Sequence, residues 1–115
     1  MTNRRDVKEH LAKIGAAAST EKIIYGPVKQ GWRVCLQRIG VRDQDNAVTT
    51  LRIVVAGHGW EHVFSEESSL TANLVYWEDW PLYLSAGESL EIHFIGTTNL
   101  DDMEAWLTGF EEEVN

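Results

Sequence analysis

With 115 residues the chain has room for one domain and too little for two. A 43% hydrophobic share can fill a core without covalent staples, and the single cysteine, Cys35, excludes an intramolecular disulfide. A formal charge of −8 argues against direct nucleic-acid binding, because phosphate contacts need a basic face.

The first segment, residues 1–20, reads as a short N-terminal helix or arm. Asn3 can cap it, Asp6 stands near its positive end, and Val7, Leu11 and Ile14 fall at i, i+4 and i+7 as a narrow apolar stripe. Gly15 is the expected stop. Asp6, Lys8, Glu9, His10 and Lys13 interrupt any apolar core of a secretory signal, and no apolar run in the chain approaches bilayer length. The expectation is a soluble protein made inside a cell and not bound to a membrane. The charge is uneven: residues 1–30 hold six basic side chains against three acidic ones, and residues 31–115 hold four against fifteen. Such a basic leader on an acidic body can reach a neighbouring subunit or lie solvated on its own.

From Lys22 onward the apolar period is two. KIIYGPV (22–28) reads as an edge strand with a Gly-Pro break. WRVCLQRIGV (32–41) turns Trp32, Val34 and Leu36 to one face and then slips phase to Ile39 and Val41, which predicts a bulge beside Gly40. TTLRIVVAG (49–57) places Leu51, Ile53 and Val55 inward. EHVF (61–64), LTANLVYW (70–77) and PLYL (81–84) are shorter candidates, with SAGE (85–88) as a hairpin turn containing Gly87. SLEIHFIG (89–96) alternates Leu90, Ile92 and Phe94 against Glu91 and His93, which predicts a solvent-facing His93. MEAWLTGF (103–110) sets Met103, Ala105 and Leu107 against Trp106. Seven or eight short strands with regular turns specify an all-β fold, an antiparallel β-sandwich of jelly-roll type over residues 21–115. Cys35, among strand residues, reads as a small buried hydrophobe.

His58-Gly59-Trp60-Glu61-His62 fits H-x-x-E-H, a zinc-peptidase pattern that needs both histidines on one helix face. Gly57 and Gly59 weaken a helix there, and strands flank it, so a glycine-rich turn is expected. His58, Glu61, His62 and His93 are the residue types of a cupin-like metal site, but the H-x-H pair on one strand is missing. Loop acids at Asp101 and Asp102 could hold calcium if several oxygens converged. No nucleophile triad, supported glycosidase acid pair or phosphate-cradling loop is present in the sequence. The expectation is therefore a non-enzyme with no catalytic residues, no metal and no cofactor.

Five tryptophans remain: Trp32, Trp60, Trp77, Trp80 and Trp106. Trp32 reads as core. Trp106 lies opposite its strand's apolar face, and Trp60 lies at a loop tip. In Trp77-Glu78-Asp79-Trp80 one ring should plug the core and the other face outward. Protein interfaces and carbohydrate-binding sandwiches both concentrate such rings. The expected protein-interface residues are Trp60, Trp77, Trp80 and Trp106, with Arg4, Arg5, Val7, Leu11 and Ile14 of the leader.

PLYLSAGESLEIHFIGTTNLDDMEAWLTGFEEE contains a p-x-x-L-x-x-G-[DE]-x-L hairpin at Pro81, Leu84, Gly87, Glu88 and Leu90. A final strand with Asp102, Gly109 and Glu111 follows, and Trp32 and Leu36 precede it. Over residues 32–113 this resembles small jelly-roll-like virion proteins of tailed bacteriophages. The resemblance implies a non-enzymatic capsid decoration, cement or head-accessory subunit. It would form a homo-oligomer such as a trimer, seat on a major capsid or other virion protein, and let its arm clasp a neighbour. Its place would be the virion, assembled in the host cytoplasm. A carbohydrate-binding β-sandwich module is the alternative.

Overall fold

The computed structural model of the chain describes residues 3–15, 19–45, 48, 50–68, 70–79, 81–97 and 101–114. Within them the chain is all-β, and two antiparallel sheets pack face to face as a sandwich. The strands are β1 (Arg4–Lys13), β2 (Thr20–Tyr25), β3 (Trp32–Asp43), β4 (Thr50–Gly57), β5 (Trp60–Ser68), β6 (Tyr76–Glu78), β7 (Leu82–Leu84), β8 (Ser89–Ile95) and β9 (Met103–Glu113). The first sheet runs β1-β9-β3-β6, with β7 also on β3; the second runs β2-β8-β4-β5. Strands β6 and β7 share one edge. β6 pairs with Ile39–Val41 and β7 with Val34–Leu36. LTANLVYW supplies strand only at its end, since β6 starts at Tyr76.

Alternation puts the core where the sequence places it. Val34, Leu36, Ile39 and Val41 of β3 meet Leu51 and Ile53 of β4, Leu90, Ile92 and Phe94 of β8, and Met103, Ala105 and Leu107 of β9, all buried. The phase slip in β3 is real, but its irregularity falls between Leu36 and Arg38, ahead of Gly40. One extra residue there turns Val34 and Leu36, then Ile39 and Val41, to the same side. Cys35 faces away from the core yet is 2% exposed, because its cross-strand partners Phe110 and Tyr83 flank it. Trp32 is half-buried against the core.

The expected N-terminal helix is instead a strand, paired with β9 through ten residues from Arg4↔Glu112 to Lys13↔Met103. The reason lies in the spacing. Residues i and i+4 share a face in a helix and also in a strand. Val7 is buried and Leu11 half-buried, as either structure allows, but Ile14 decides between them: it is 81% exposed. The basic leader meets the acidic final strand of its own chain. Arg5 reaches Glu111 at 2.8 Å, His10 lies 3.4 Å from Glu104, and Lys13 spans to Glu21 of β2 at 2.7 Å. The basic side chain of each pair is about half exposed, and the Arg5–Glu111 pair is worth about 0–1 kcal/mol, so these contacts select this register more than they stabilise it.

Candidate functional site

The outer face of the first sheet carries a row of rings. His10 of β1 is opposite Trp106 of β9, Trp106 is opposite Gly40 of β3, and Gly40 is opposite Trp77 of β6. Directly opposite residues project from the same face. The Trp77 indole lies across Gly40, where a Cβ would come within 2.3 Å of the ring. The bare glycine lets the two indoles approach to 6.3 Å between centroids, tilted by 37°. His10 stacks on the far side of Trp106 at 5.2 Å and 18°.

Two arginines bracket the row. The Arg38 guanidinium lies 4.0 Å from the Trp77 ring centre and 2.8 Å from Asp79. Arg42 lies 5.5 Å from the Trp106 ring centre, donates to Glu104, and reaches Asn73 Oδ1 at 3.2 Å. Burial pushes the Glu104 carboxyl up, but the hydrogen bond and charge of Arg42 outweigh it and leave it below its ordinary value. Each exposed cation–ring contact is worth roughly 0.5–1 kcal/mol, and with the ion pairs to Asp79 and Glu104 they tie both arginines to the row. A groove of about 340 Å³ runs beside the rings, bounded by Lys8, His10, Arg38, Trp77, Trp106 and Thr108. Further along the same face Arg4 covers Phe110 at 3.5 Å, and Tyr83 is 60% exposed. This face thus combines Arg4, Lys8, Arg33, Arg38 and Arg42, the last three paired with Glu112, Asp79 and Glu104, with the exposed rings of Trp77 and Tyr83.

The other expected interface residues disperse. Trp60 is 53% exposed at the start of β5 and meets His62 edge-on at 4.0 Å, away from the Trp77–Trp106 pair. Val7 and Leu11 face the core side of β1. Arg5 lies over Trp32 at 4.3 Å, also on that side, and Ile14 stands alone beyond the strand end. Trp80 lies outside the described residues. Of the Trp77–Trp80 motif, Trp77 faces out, while the preceding Tyr76 packs against the core.

His58 and Gly59, with φ of 55° and 85°, form the two-residue turn between β4 and β5. The H-x-x-E-H pattern is therefore a hairpin, and His58 and His62 do not share a helix face. His93, expected in solvent, is 7% exposed on the outer face of the second sheet, 2.8 Å from Glu91 Oε1. That hydrogen bond holds the Glu91 carboxyl below its ordinary value against the opposing effect of burial, with help from Lys22.

Asp101 does join other carboxylates, though not Asp102. Asp43, Asp45 and Asp101 bring one oxygen each within 4.8 Å of one another, the ligand type a hard divalent cation takes. The same loops are tied by main-chain donors: Asp45 N–H to Asp43 Oδ1 at 3.0 Å, Asp102 N–H to Asp45 Oδ2 at 2.7 Å, and Gly15 N–H to Asp102 Oδ1 at 3.0 Å. These bonds join the ends of β1, β3 and β9 and give the acids a structural role.

Sequence reasoning missed His10, Gly40, Arg38 and Arg42 as members of the aromatic face. Their signal is a register across three strand pairings, and no local pattern in the chain contains it. Comparison with protein-family models, with curated proteins and with solved structures finds no match to this chain.

Proposed function

We propose that the chain is a non-enzymatic structural subunit that seats on another polypeptide through the outer face of its first sheet. A bacteriophage virion component of the capsid-decoration type is the class its sequence resembles. The carrying observation is the His10–Trp106–Gly40–Trp77 row. Trp77 is 44% exposed, bracketed by arginines already fixed in place. Interface hot spots concentrate Trp, Tyr and Arg because rigid rings and planar guanidinium groups lose little entropy on docking. The strand orders support a jelly-roll reading of the sandwich: β1, β9, β3 and the β6/β7 edge face β2, β8, β4 and β5, and the chain crosses between sheets after β1, β2, β3, β5, β7 and β8.

Cosedimentation with phage shells tests the proposal. Trp77→Ala and Trp106→Ala should each weaken binding by about tenfold or more, the size of a hot-spot loss. Trp60→Ala should change it little. Shell binding that is absent, or unchanged in both variants, overturns the reading. A second reading, a carbohydrate-binding module, rests on the groove at the same face, where two tilted indoles adjoin the polar Thr108, Lys8 and Arg38. It predicts glycan-dependent quenching of tryptophan fluorescence that is lost in Trp77→Ala, and no affinity for shells.

A further inference from the structure

Each sheet ends on one long edge strand. β1, ten residues, closes one side of the first sheet, and β5, nine residues, closes the opposite side of the second; among the described residues each has a strand neighbour on one side only. The remaining edges are blunted. β6 and β7 have three residues each, and β2 has six. Long edges present unpaired main-chain donors and acceptors and invite another strand unless something opposes it.

Charge decides which strand can add. In β1 Arg4, Arg5, Lys8 and Lys13 outnumber Asp6 and Glu9; β5 carries Glu61, Glu66 and Glu67 and no lysine or arginine. Two β5 edges repel each other, as do two β1 edges. A β1 edge and a β5 edge attract. We propose that β1 of one copy pairs antiparallel with β5 of a second copy, so that the protein self-associates head to tail.

Phe64 is an extra residue in β5, a bulge that shifts its register by one. Counted across that bulge, an alignment with Lys8 opposite Glu61 opposes no like charges: Val7 meets His62, Glu9 meets Trp60, Asp6 meets Val63, and beyond the bulge Arg4 meets Glu66. Val7 and Glu9 lie on the core side of β1, opposite Gly109 and Leu107 of β9. Trp60 and His62 lie on the core side of β5, opposite Gly57 and Val55. The pairing therefore continues an inner face across the junction and covers Trp60 and Val63, which are 53% and 55% exposed. Because the two edges lie on opposite sides of the sandwich, the contact is heterologous and generates a ring or an open chain. The inference goes beyond the docking face, and neither depends on the other.

The test is a charge swap read by analytical ultracentrifugation at low salt. The wild-type chain should sediment as multiples of 13.0 kDa and dissociate as salt rises. Arg4→Glu/Lys8→Glu and Glu61→Lys/Glu66→Lys should each associate about tenfold or more weakly alone, and an equimolar mixture should recover association. Recovery needs both variants folded, which thermal melts of each confirm. If either variant fails to fold, the wild-type salt titration decides. A wild-type chain that stays monomeric at low salt, association insensitive to salt, or variants that associate like wild type would each overturn the proposal. Trp77→Ala should leave self-association unchanged, which separates this result from a failure of the docking face.

Discussion

Gly40 shows how a residue with no side chain can organise an aromatic surface. In an antiparallel row every position normally contributes a Cβ, which would hold neighbouring indoles apart. Here the space is filled by Trp77, whose ring atoms lie where a Cβ would be. Gly40→Ala should therefore displace the Trp77 ring and destabilise the fold by about 1–3 kcal/mol, the usual cost of overpacking. Urea denaturation and the tryptophan emission maximum would check it, with emission shifting red. An unchanged stability and spectrum would mean that the ring does not rest on Gly40. Chemistry at this scale was only partly legible in the sequence. The outward position of Trp106 follows from alternation along its own strand, whereas the pairing of Trp77 with Gly40 depends on which residue stands across the sheet.

At the scale of the element, β1 is the instructive case. Its apolar spacing suits a helix or a strand, and in isolation neither would persist in water. Strand β9 supplies the missing partner. Its acidic side chains match the basic ones of β1, and its main chain offers ten residues of ladder. Deleting residues 1–13 should lower folding stability by about 2–4 kcal/mol, judged from the burial of Val7 and the half-burial of Leu11. Chemical denaturation of the shortened chain measures this, and an undiminished midpoint would remove β1 from the cooperative unit. The helix expectation failed because the sequence pattern contained no information about a strand a hundred residues away. The later strands were readable because each carries its own strict alternation.

For the whole molecule, acid stability follows from the carboxylates held in their charged form. Glu91, bonded to His93, and Glu104, bonded to Arg42, both lie below the ordinary carboxylate range. A depressed carboxylate contributes stability above its unfolded pKa, about 4.3, and that contribution disappears as pH falls through the lower folded value. The denaturation midpoint should thus vary little with these groups from pH 7 to about 5 and decline below about 4.5. Glu91→Gln should flatten part of the decline. Midpoints measured between pH 7 and 3 test this, and an identical slope in the variant would refute the role of Glu91. The principal extents of 47 × 27 × 22 Å describe an elongated sandwich, with one broad face given to the aromatic row.

The alternation of Leu90, Ile92 and Phe94, of Leu51 and Ile53, and of Met103, Ala105 and Leu107 determined by itself that this chain forms two antiparallel layers. A strand has period two, and burying one face is the main gain available to it. Only the tertiary structure decided that residues 4–13 are a strand, that His93 lies beneath its neighbours, and that His10, Trp106 and Trp77 line up over Gly40. Those outcomes depend on cross-strand register, and register is set by the cooperative packing of segments far apart in the chain.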